Sequence, residues 1–276
     1  MTKNTKIGII GYGNMGAAIA RGISSKYQVF VFDKEASKTK NIVKVKTVKS
    51  IFSLLDNVDA LILAVKPQYF NDVLAEIKNN IDDKLIISIA AGRPTRGIEK
   101  ILGKVRVVRV MPNLPAKIGK GMSCLCKGKF ANNSDLKFAK KIFDFIGDTL
   151  VLNENMMDAA TADSGSGPGF ICQLVSGKSL KEAKKIAQIE LVPLMLDAGM
   201  DIGFKRGQAE LLAVATTAGT MALLEKSNIS AENLLKQVAS KGGTTEAGLK
   251  VLKGNKKFLS KAFKAALKRA KELSRR

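Results

Sequence analysis

The chain has 276 residues and a formal net charge of +22, with 46 Lys and Arg residues against 24 Asp and Glu. Apolar residues make up 46% of it and aromatic residues only 5%, while histidine and tryptophan are absent. This length suits one large or two ordinary domains, and no apolar run reaches the roughly 18 residues that a membrane helix needs. The missing histidine excludes every mechanism in which a histidine is the acid–base catalyst.

The positive charge is spread along the whole chain as lysines at helix-surface spacing. No arginine-rich arm and no alternation of basic with aromatic residues is present, so we expect a generally basic surface and no nucleic-acid binding. Electrostatic steering of an anionic small ligand remains an alternative. The first apolar stretch runs straight into a glycine turn, so we expect no signal peptide, no membrane association and a cytoplasmic protein. Cys124, Cys126 and Cys172 match no zinc-binding spacing, which predicts buried thiols and no metal site.

In the first half of the chain, apolar β-branched runs alternate with helix-like stretches. This alternation predicts an α/β domain over residues 1–153, with a doubly wound, mostly parallel sheet covered on both faces. Two further strands, around a helix near 134–146, should close one edge of the sheet. The expected strands are 6–10, 28–32, 60–65, 85–90, 105–110, 121–126 and 148–152, and the expected helices are 14–25, 48–55, 69–80 and 94–102.

From Glu154 onward the sequence shows helical patterns and no convincing strand. A change from βα alternation to helices alone predicts a second, all-helical domain over residues 154–276. Its last helix should be basic and amphipathic, with a packing stripe of Phe258, Leu259, Phe263, Ala266, Leu267 and Ala270. The expected helices are 178–199, 205–226, 230–239, 245–253 and 256–274.

The stretch GYGNMG, residues 11–16, follows the first predicted strand and opens the first predicted helix. Gly11 permits a tight turn, Gly13 lets the backbone approach a pyrophosphate, and Gly16 allows close packing of helix on strand. Such a turn binds a dinucleotide through N–H groups at the helix N-terminus. We therefore predict a dinucleotide site that includes Asn14 and Met15.

Asp33 ends the next predicted strand, where an acidic side chain accepts hydrogen bonds from the adenosine ribose. Its carboxylate repels a 2′-phosphate and favours NADH over NADPH. Lys34 beside it can offset part of that repulsion, so both cofactors remain open.

The absent histidine also narrows the chemistry. A Tyr-x-x-x-Lys pair is absent as well, because Gly16, Val31 and Val73 lie four positions after the three tyrosines. An iminium carbon is already electrophilic, so its reduction needs chiefly orientation and a hydroxyl or water near the nitrogen. The composition therefore favours an imine substrate over a carbonyl.

Six stretches, spread almost from end to end, together resemble the pyrroline-5-carboxylate reductase family. They are GYGNMG (11–16), AVKPQ (64–68), SIAAG (88–92), RVVRVMPNLPA (106–116), DSGSGPGF (163–170) and SKGGTTEAGL (240–249). The resemblance implies a Rossmann domain, a helical dimerisation domain and NAD(P)H-dependent reduction of a cyclic imine to L-proline. It also implies homodimers that often assemble as pentamers of dimers.

The resemblance assigns residues to the two ligands. Thr245 is implied as the hydrogen-bond partner or proton donor of the imine nitrogen, and we expect Thr244 or Thr245 to cap the helix that follows. Glu246 should lie in its first turn. The expected substrate residues are Ser240, Gly242, Gly243, Thr244 and Asn113. The cofactor residues already named are those of the glycine turn together with Asp33 and Lys34. The further expected cofactor residues are Ala64, Val65, Lys66, Pro67, Ala90, Ala91 and Gly92.

Three features depart from the family pattern. Lys241 replaces a proline, Asp163 stands where an apolar residue is usual, and about 35 residues separate Pro168 from DIGF where the family has roughly 20. The last departure predicts an insertion or remodelled helix near 174–188, which affects the dimer interface more than the chemistry. Reduction of a related cyclic imine, and dinucleotide binding without catalysis, are the alternatives.

Overall fold

The structure is a computed structural model that describes residues 5–81 and 83–275. By packing, the chain divides into two units. The first contains the described residues up to Val110 together with Leu125–Glu154, and the second contains Met111–Cys124 together with the described residues from Asn155 on. Segment Met111–Cys124 therefore belongs with the second unit. The division into domains 1–153 and 154–276 stays a prediction.

Within the described residues, eight strands form one sheet. Their bounds are β1 Lys6–Ile10, β2 Gln28–Phe32, β3 Lys46–Thr47, β4 Ala60–Leu63, β5 Leu85–Ser88, β6 Arg106–Met111, β7 Gly121–Lys127 and β8 Gly147–Val151. The spatial order is β3-β2-β1-β4-β5-β6-β7-β8, and the pairs from β3 through β6 are parallel. The predicted doubly wound sheet with two closing strands is confirmed. Strand β3 was not predicted, because two residues are too few to make a pattern.

The central strands are apolar along their whole length. Consecutive residues Leu61, Ile62 and Leu63 are all fully buried, so both faces of β4 are covered. In register, Ile9 of β1 lies between Val31 of β2 and Ile62 of β4. The order of the strands reverses between β1 and β4, which is where open α/β sheets bind their ligands.

Five helices accompany the sheet in the first unit. The last of them opens with a capping box, in which the Asn132 side chain accepts from the N–H groups of Ser134 and Asp135. Each lies within or close to its predicted range. Their bounds are α1 Asn14–Ile23, α2 Ile51–Leu55, α3 Phe70–Ile77, α4 Thr95–Leu102 and α5 Asn133–Asp144.

The described residues from Asn155 onward are helical or in turns, as predicted. Two π turns, Thr161–Gly165 and Ala187–Leu191, interrupt the helices. The helices are α6 Met157–Ala160, α7 Gly167–Val175, α8 Leu180–Ile186, α9 Val192–Asp201, α10 Arg206–Ser227, α11 Ala231–Val238, α12 Thr244–Leu252 and α13 Leu259–Ser274.

Segment 164–168, which resembles the family's junction loop before a long helix, lies in the π turn and at the start of α7. Pro168 lies in the first turn of α7, where its missing N–H costs no intrahelical hydrogen bond. The glycines leave room for neighbouring side chains. A Cβ on Gly167 would lie 2.9 Å from the Thr216 methyl, and one on Gly165 would lie 2.7 Å from the Met111 methyl. Here glycine serves close packing and not flexibility.

The predicted insertion near 174–188 corresponds to a separate helix. Helix α7 ends at Val175, Gly177 adopts φ +73°, and Ser179 opens α8 with a capping box to Glu182. The helix predicted over 178–199 runs without a break from Leu180 to Asp201, with the π turn Ala187–Leu191 between α8 and α9.

The amphipathic C-terminal helix is confirmed as a packing helix. Leu259, Phe263, Ala266 and Ala270 of α13 are buried, whereas Phe258 is exposed at the entrance to the helix. Among the described residues, no helix is both long and apolar enough to cross a membrane. The three thiols are buried as predicted, and burial raises the pKa of Cys126 and of Cys172 to about 12.

Candidate active site

The glycine turn lies in close contact with the ends of the two strands beside β1. Gly11 has φ +97°, and its N–H donates to the Phe32 carbonyl at 2.8 Å. A Cβ on Gly11 would lie 2.6 Å from the carbonyl oxygen of Ala64, and one on Gly16 would collide with the Gly11 carbonyl. The first and third glycines are therefore required by the positive φ and by close packing of backbone on backbone.

Gly13 differs from the other two glycines of the turn. It is exposed, and a Cβ placed on it would meet nothing within 4 Å. It is also the N-cap of α1, which has no side-chain cap, so the first N–H groups of α1 are available to a ligand. This cradle, which a side chain would fill, fits the pyrophosphate of a dinucleotide.

Asp33 follows β2 on the same edge of the sheet. One carboxylate oxygen accepts from the Tyr12 N–H at 2.7 Å, and the other accepts from the Glu35 N–H at 2.9 Å. These bonds fix the carboxylate beside the glycine turn. Lys34 is exposed, whereas Lys38, which sequence reasoning did not single out, has its Nζ 3.8 Å from Asp33. A hydrogen bond to Glu35 is the main cause that raises the Lys38 pKa.

The remaining cofactor candidates follow β4 and β5. Ala64 is joined to the end of β1 by its N–H, which donates to the Ile10 carbonyl at 2.8 Å. Arg93, another residue without a sequence signal, donates to the Pro67 carbonyl at 3.0 Å and thereby ties the β5 end to the β4 end. After these strands come Ala64, Val65, Lys66 and Pro67 on one side and Ala90, Ala91 and Gly92 on the other. The structure thus gathers all the cofactor candidates at the carboxyl ends of β1, β2, β4 and β5.

In the second unit, α12 begins without a side-chain cap. Its N-cap is Gly243, and Thr244 and Thr245 are its first two residues, so the prediction that a threonine caps this helix is wrong. Thr244 Oγ1 lies 2.9 Å from Ser166 Oγ, so this hydroxyl is hydrogen-bonded to Ser166 and does not cap the helix. Glu246 lies in the first turn, as predicted. The first N–H groups of α12 are left without a side-chain partner, which suits a carboxylate.

The Thr245 side chain has two differently placed ends. Its methyl faces α7, since a Cβ on Gly169 would lie 2.6 Å from Thr245 Cγ2. Its hydroxyl has no hydrogen-bond partner within the described part of the chain, although only 5% of the residue is exposed. Because packing of the methyl holds the side chain in place and no described group bonds to the hydroxyl, the hydroxyl can donate a hydrogen bond to a ligand.

The glycine loop before α12 is held by its neighbours. The Gly242 N–H donates to Glu246 at 2.7 Å, and the Gly242 carbonyl accepts from Nε of Arg269 at 2.8 Å. Ser240 packs beneath Gly243, where a Cβ would collide with the serine hydroxyl. Arg269 is 27 residues away in α13, so no local pattern points to it.

The two hydrogen bonds of the Asn113 side chain do not involve the glycine loop. Its side-chain oxygen accepts from the Met122 N–H at 2.8 Å, and its amide nitrogen donates to the Ser164 carbonyl at 3.2 Å. Asn113 is 3% exposed, so the amide joins the segment before β7 to the π turn. Ser164 itself is fully buried, and its hydroxyl donates to the Ala160 carbonyl at 3.1 Å.

Asp163 has an unusual environment for a carboxylate. It is fully buried within the π turn, and neither of its oxygens has a hydrogen-bond partner among the described residues. One oxygen would lie 2.9 Å from a Cβ on Gly199, so a side chain at Gly199 would push against the carboxylate. Burial raises the pKa of this carboxyl well above its ordinary value.

Two family models match the chain. Residues 6–92 match the family described as NADP oxidoreductase coenzyme F420-dependent, and residues 189–273 match pyrroline-5-carboxylate reductase dimerisation. The first range holds the glycine turn and the ends of β4 and β5, and the second holds the first turn of α12. The two matches therefore cover the candidate cofactor residues and, apart from Asn113, the candidate substrate residues.

Full-length relatives and solved structures agree with these matches. The pyrroline-5-carboxylate reductase of Methanosarcina acetivorans is 34% identical over 99% of this chain and 100% of its own length, and that of Synechocystis is 32% identical over 98% and 99%. The crystal structure of Plasmodium falciparum pyrroline carboxylate reductase with NADP bound is 29% identical, with a TM-score of 0.64 over 99% of this chain and 100% of that one. A Coxiella burnetii pyrroline-5-carboxylate reductase structure has the same TM-score at 30% identity, over 98% and 99%. The chain belongs to the pyrroline-5-carboxylate reductase family of oxidoreductases.

Proposed function

We propose that this chain reduces 1-pyrroline-5-carboxylate to L-proline with NADH or NADPH, the last step of proline biosynthesis, in the cytoplasm. One observation carries the proposal. In a chain that belongs to this family over its full length, the first turn of α12 combines N–H groups without a side-chain cap and a Thr245 hydroxyl without a partner among the described residues. The substrate presents the complementary groups, a carboxylate and an imine nitrogen.

The first turn of α12 takes the two polar groups of the substrate. Backbone N–H groups at a helix N-terminus bind a carboxylate and gain from the helix dipole. Gly242 and Gly243 let the backbone approach closely, and Ser240 supports the loop from beneath. The Thr245 hydroxyl donates to the imine nitrogen, polarises the C=N bond and stabilises the negative charge that develops on nitrogen as the carbon accepts a hydride. Asn113, whose amide is engaged at Met122 and Ser164, shapes the segment next to the π turn.

The first unit holds the dinucleotide. Gly13 and the N-terminus of α1, with Asn14 and Met15, take the pyrophosphate, and Asp33 takes the adenosine ribose. The loops after β4 and β5 take the nicotinamide end, where small residues at 90–92 leave space for a flat ring. When bound, a reduced nicotinamide supplies the hydride that the imine carbon accepts.

NADH is the proposed preferred cofactor, although NADP is bound in the Plasmodium relative. The Asp33 carboxylate is fixed by two backbone N–H groups beside the turn, so it cannot swing away from a 2′-phosphate without losing both bonds. Lys38, 3.8 Å from Asp33, offsets part of the repulsion and keeps NADPH usable.

Asp33→Ser is expected to shift the ratio of kcat/KM for NADH over NADPH by about tenfold toward NADPH, as for a charge contact of about 1.4 kcal/mol. The ratio is measured from initial rates at saturating imine. Glu35→Gln is the matched control, because it removes a neighbouring negative charge that also pairs with Lys38 but leaves Asp33 in place. A wild-type enzyme that prefers NADPH, or an equal shift in both variants, argues against the role given to Asp33.

We also propose that the second unit forms a homodimer, which can assemble further as a pentamer of dimers. The match to the dimerisation family supports self-association, and so do large apolar side chains left exposed on its helices, with Ile189 at 62% and Val214 at 48% exposure. Light scattering at micromolar concentration should give at least twice the 29.6 kDa of one chain. A single species at 29.6 kDa contradicts the proposal.

A further inference from the structure

Ser166 stands where the π turn ends and α7 begins. Its N–H donates to the Thr161 carbonyl at 3.0 Å, which is the five-residue bond of the π turn, and its hydroxyl donates to the same oxygen at 3.1 Å. The residue is fully buried, and its Oγ lies 2.9 Å from Thr244 Oγ1 at the start of α12. Turns of this kind recur at functional sites in other helices.

The hydrogen bond between Ser166 and Thr244 has only one possible direction, because a serine hydroxyl has a single proton to donate. Ser166 has one hydroxyl proton, and that proton is directed at the Thr161 carbonyl. Ser166 Oγ therefore accepts from the Thr244 hydroxyl, in a chain from Thr244 through Ser166 to Thr161. The first residue of α12 is tied to a buried backbone group of the π turn.

The second residue of α12 is held from the same side. The Thr245 methyl occupies the space that a side chain at Gly169 would take, three residues beyond Ser166. One hydrogen bond and one methyl contact thus fix adjacent residues at a helix end that has no side-chain cap. Without them, an uncapped first turn is free to fray.

We infer that Ser166 is a positioning residue for imine reduction, acting through Thr244 to hold the first turn of α12 and the Thr245 hydroxyl in place. The inference rests on the proposed function of Thr245. A donor that is already oriented stabilises developing charge without having to reorganise, so loosening the turn lowers the rate without removing a group from the substrate.

The test uses Ser166→Ala, Thr244→Val and the double variant in the full chain. Each single change breaks the Ser166–Thr244 hydrogen bond, and Ser166→Ala also removes the bond to the Thr161 carbonyl. Each should lower kcat/KM for 1-pyrroline-5-carboxylate by roughly three- to tenfold, as expected for one net hydrogen bond. The double variant should lose no more than Ser166→Ala alone. The KM for NADH should not change, and Thr244→Ser, which keeps the hydroxyl, should lose less kcat/KM than Thr244→Val.

Thr244 is half-buried, so Thr244→Val keeps the test independent of any folding defect in Ser166→Ala. If Thr244→Val keeps the wild-type kcat/KM, the inference about Ser166 is wrong while the proposed function stands. The same holds if the loss in the double variant is the sum of the two single losses. A parallel rise in the KM for NADH also overturns it, because that is general loosening. A wild-type chain that reduces no imine overturns the proposed function, and this inference with it.

Discussion

Thr245→Ala is expected to lower kcat by roughly 10- to 1000-fold, the range that corresponds to losing one donor worth about 2–4 kcal/mol in the transition state. The affinity for NADH should stay close to that of the wild type, because the cofactor residues lie in the first unit. The loss belongs to the hydroxyl, which no described group of the chain engages. Initial rates with varied imine and varied NADH separate kcat from the two KM values.

Two matched variants divide the Thr245 side chain into its parts. Thr245→Val keeps the methyl that faces Gly169 and removes only the hydroxyl, so it should be as slow as Thr245→Ala. Thr245→Ser keeps the hydroxyl and removes the methyl, so it should retain most of the activity. A fast valine variant and a slow serine variant mean that the methyl contact matters and that the proton comes from water.

Replacing Asp163 is expected to stabilise the protein above acidic pH. The unfolded carboxyl has its ordinary pKa of 3.8, and burial raises the pKa of the folded one well above that value. Between these two pKa values the folded chain binds more protons than the unfolded chain. The free energy of unfolding of the wild type should therefore fall as pH rises from about 4 through the raised pKa.

Asp163→Asn removes the ionisation and should abolish this fall, while Asp163→Ala also removes the two oxygens without partners. At pH 8 we expect either variant to gain about 2 kcal/mol, or roughly 4–8 °C in Tm for a chain of this size. Denaturant unfolding at several pH values between 5 and 8 measures the effect. An asparagine variant less stable than the wild type means that the carboxylate gains a partner when the protein assembles.

The cofactor half of the proposed site could be predicted from the sequence because its requirements are local. A positive φ at Gly11, a close approach at Gly16 and an acid at the end of β2 each leave a residue at fixed spacing. The parallel sheet then brings β1, β2, β4 and β5 to one edge, which follows from topology alone. Lys38 was missed because its contact with Asp33 depends on how the chain turns after β2.

The substrate half was only partly readable, because long-range contacts override local preferences there. Threonine is a good N-cap, but the Thr244 hydroxyl is used by Ser166, 78 residues earlier in the chain, and the cap passes to Gly243. Likewise, no local pattern shows that Gly165, Gly167 and Gly169 lie where side chains of other segments need space. No sequence pattern near Arg269 or near Gly242 predicts the hydrogen bond between them.

The central claim is tested most directly by incubating the purified full chain with 1-pyrroline-5-carboxylate and NADH while following cofactor oxidation and proline formation together. The account predicts one L-proline formed for each NADH consumed, with a higher kcat/KM for this imine than for its six-membered homologue. Faster turnover of the larger ring assigns the chain to a related cyclic imine. Binding of NADH with no proline formed contradicts the account and leaves a dinucleotide-binding protein without this activity.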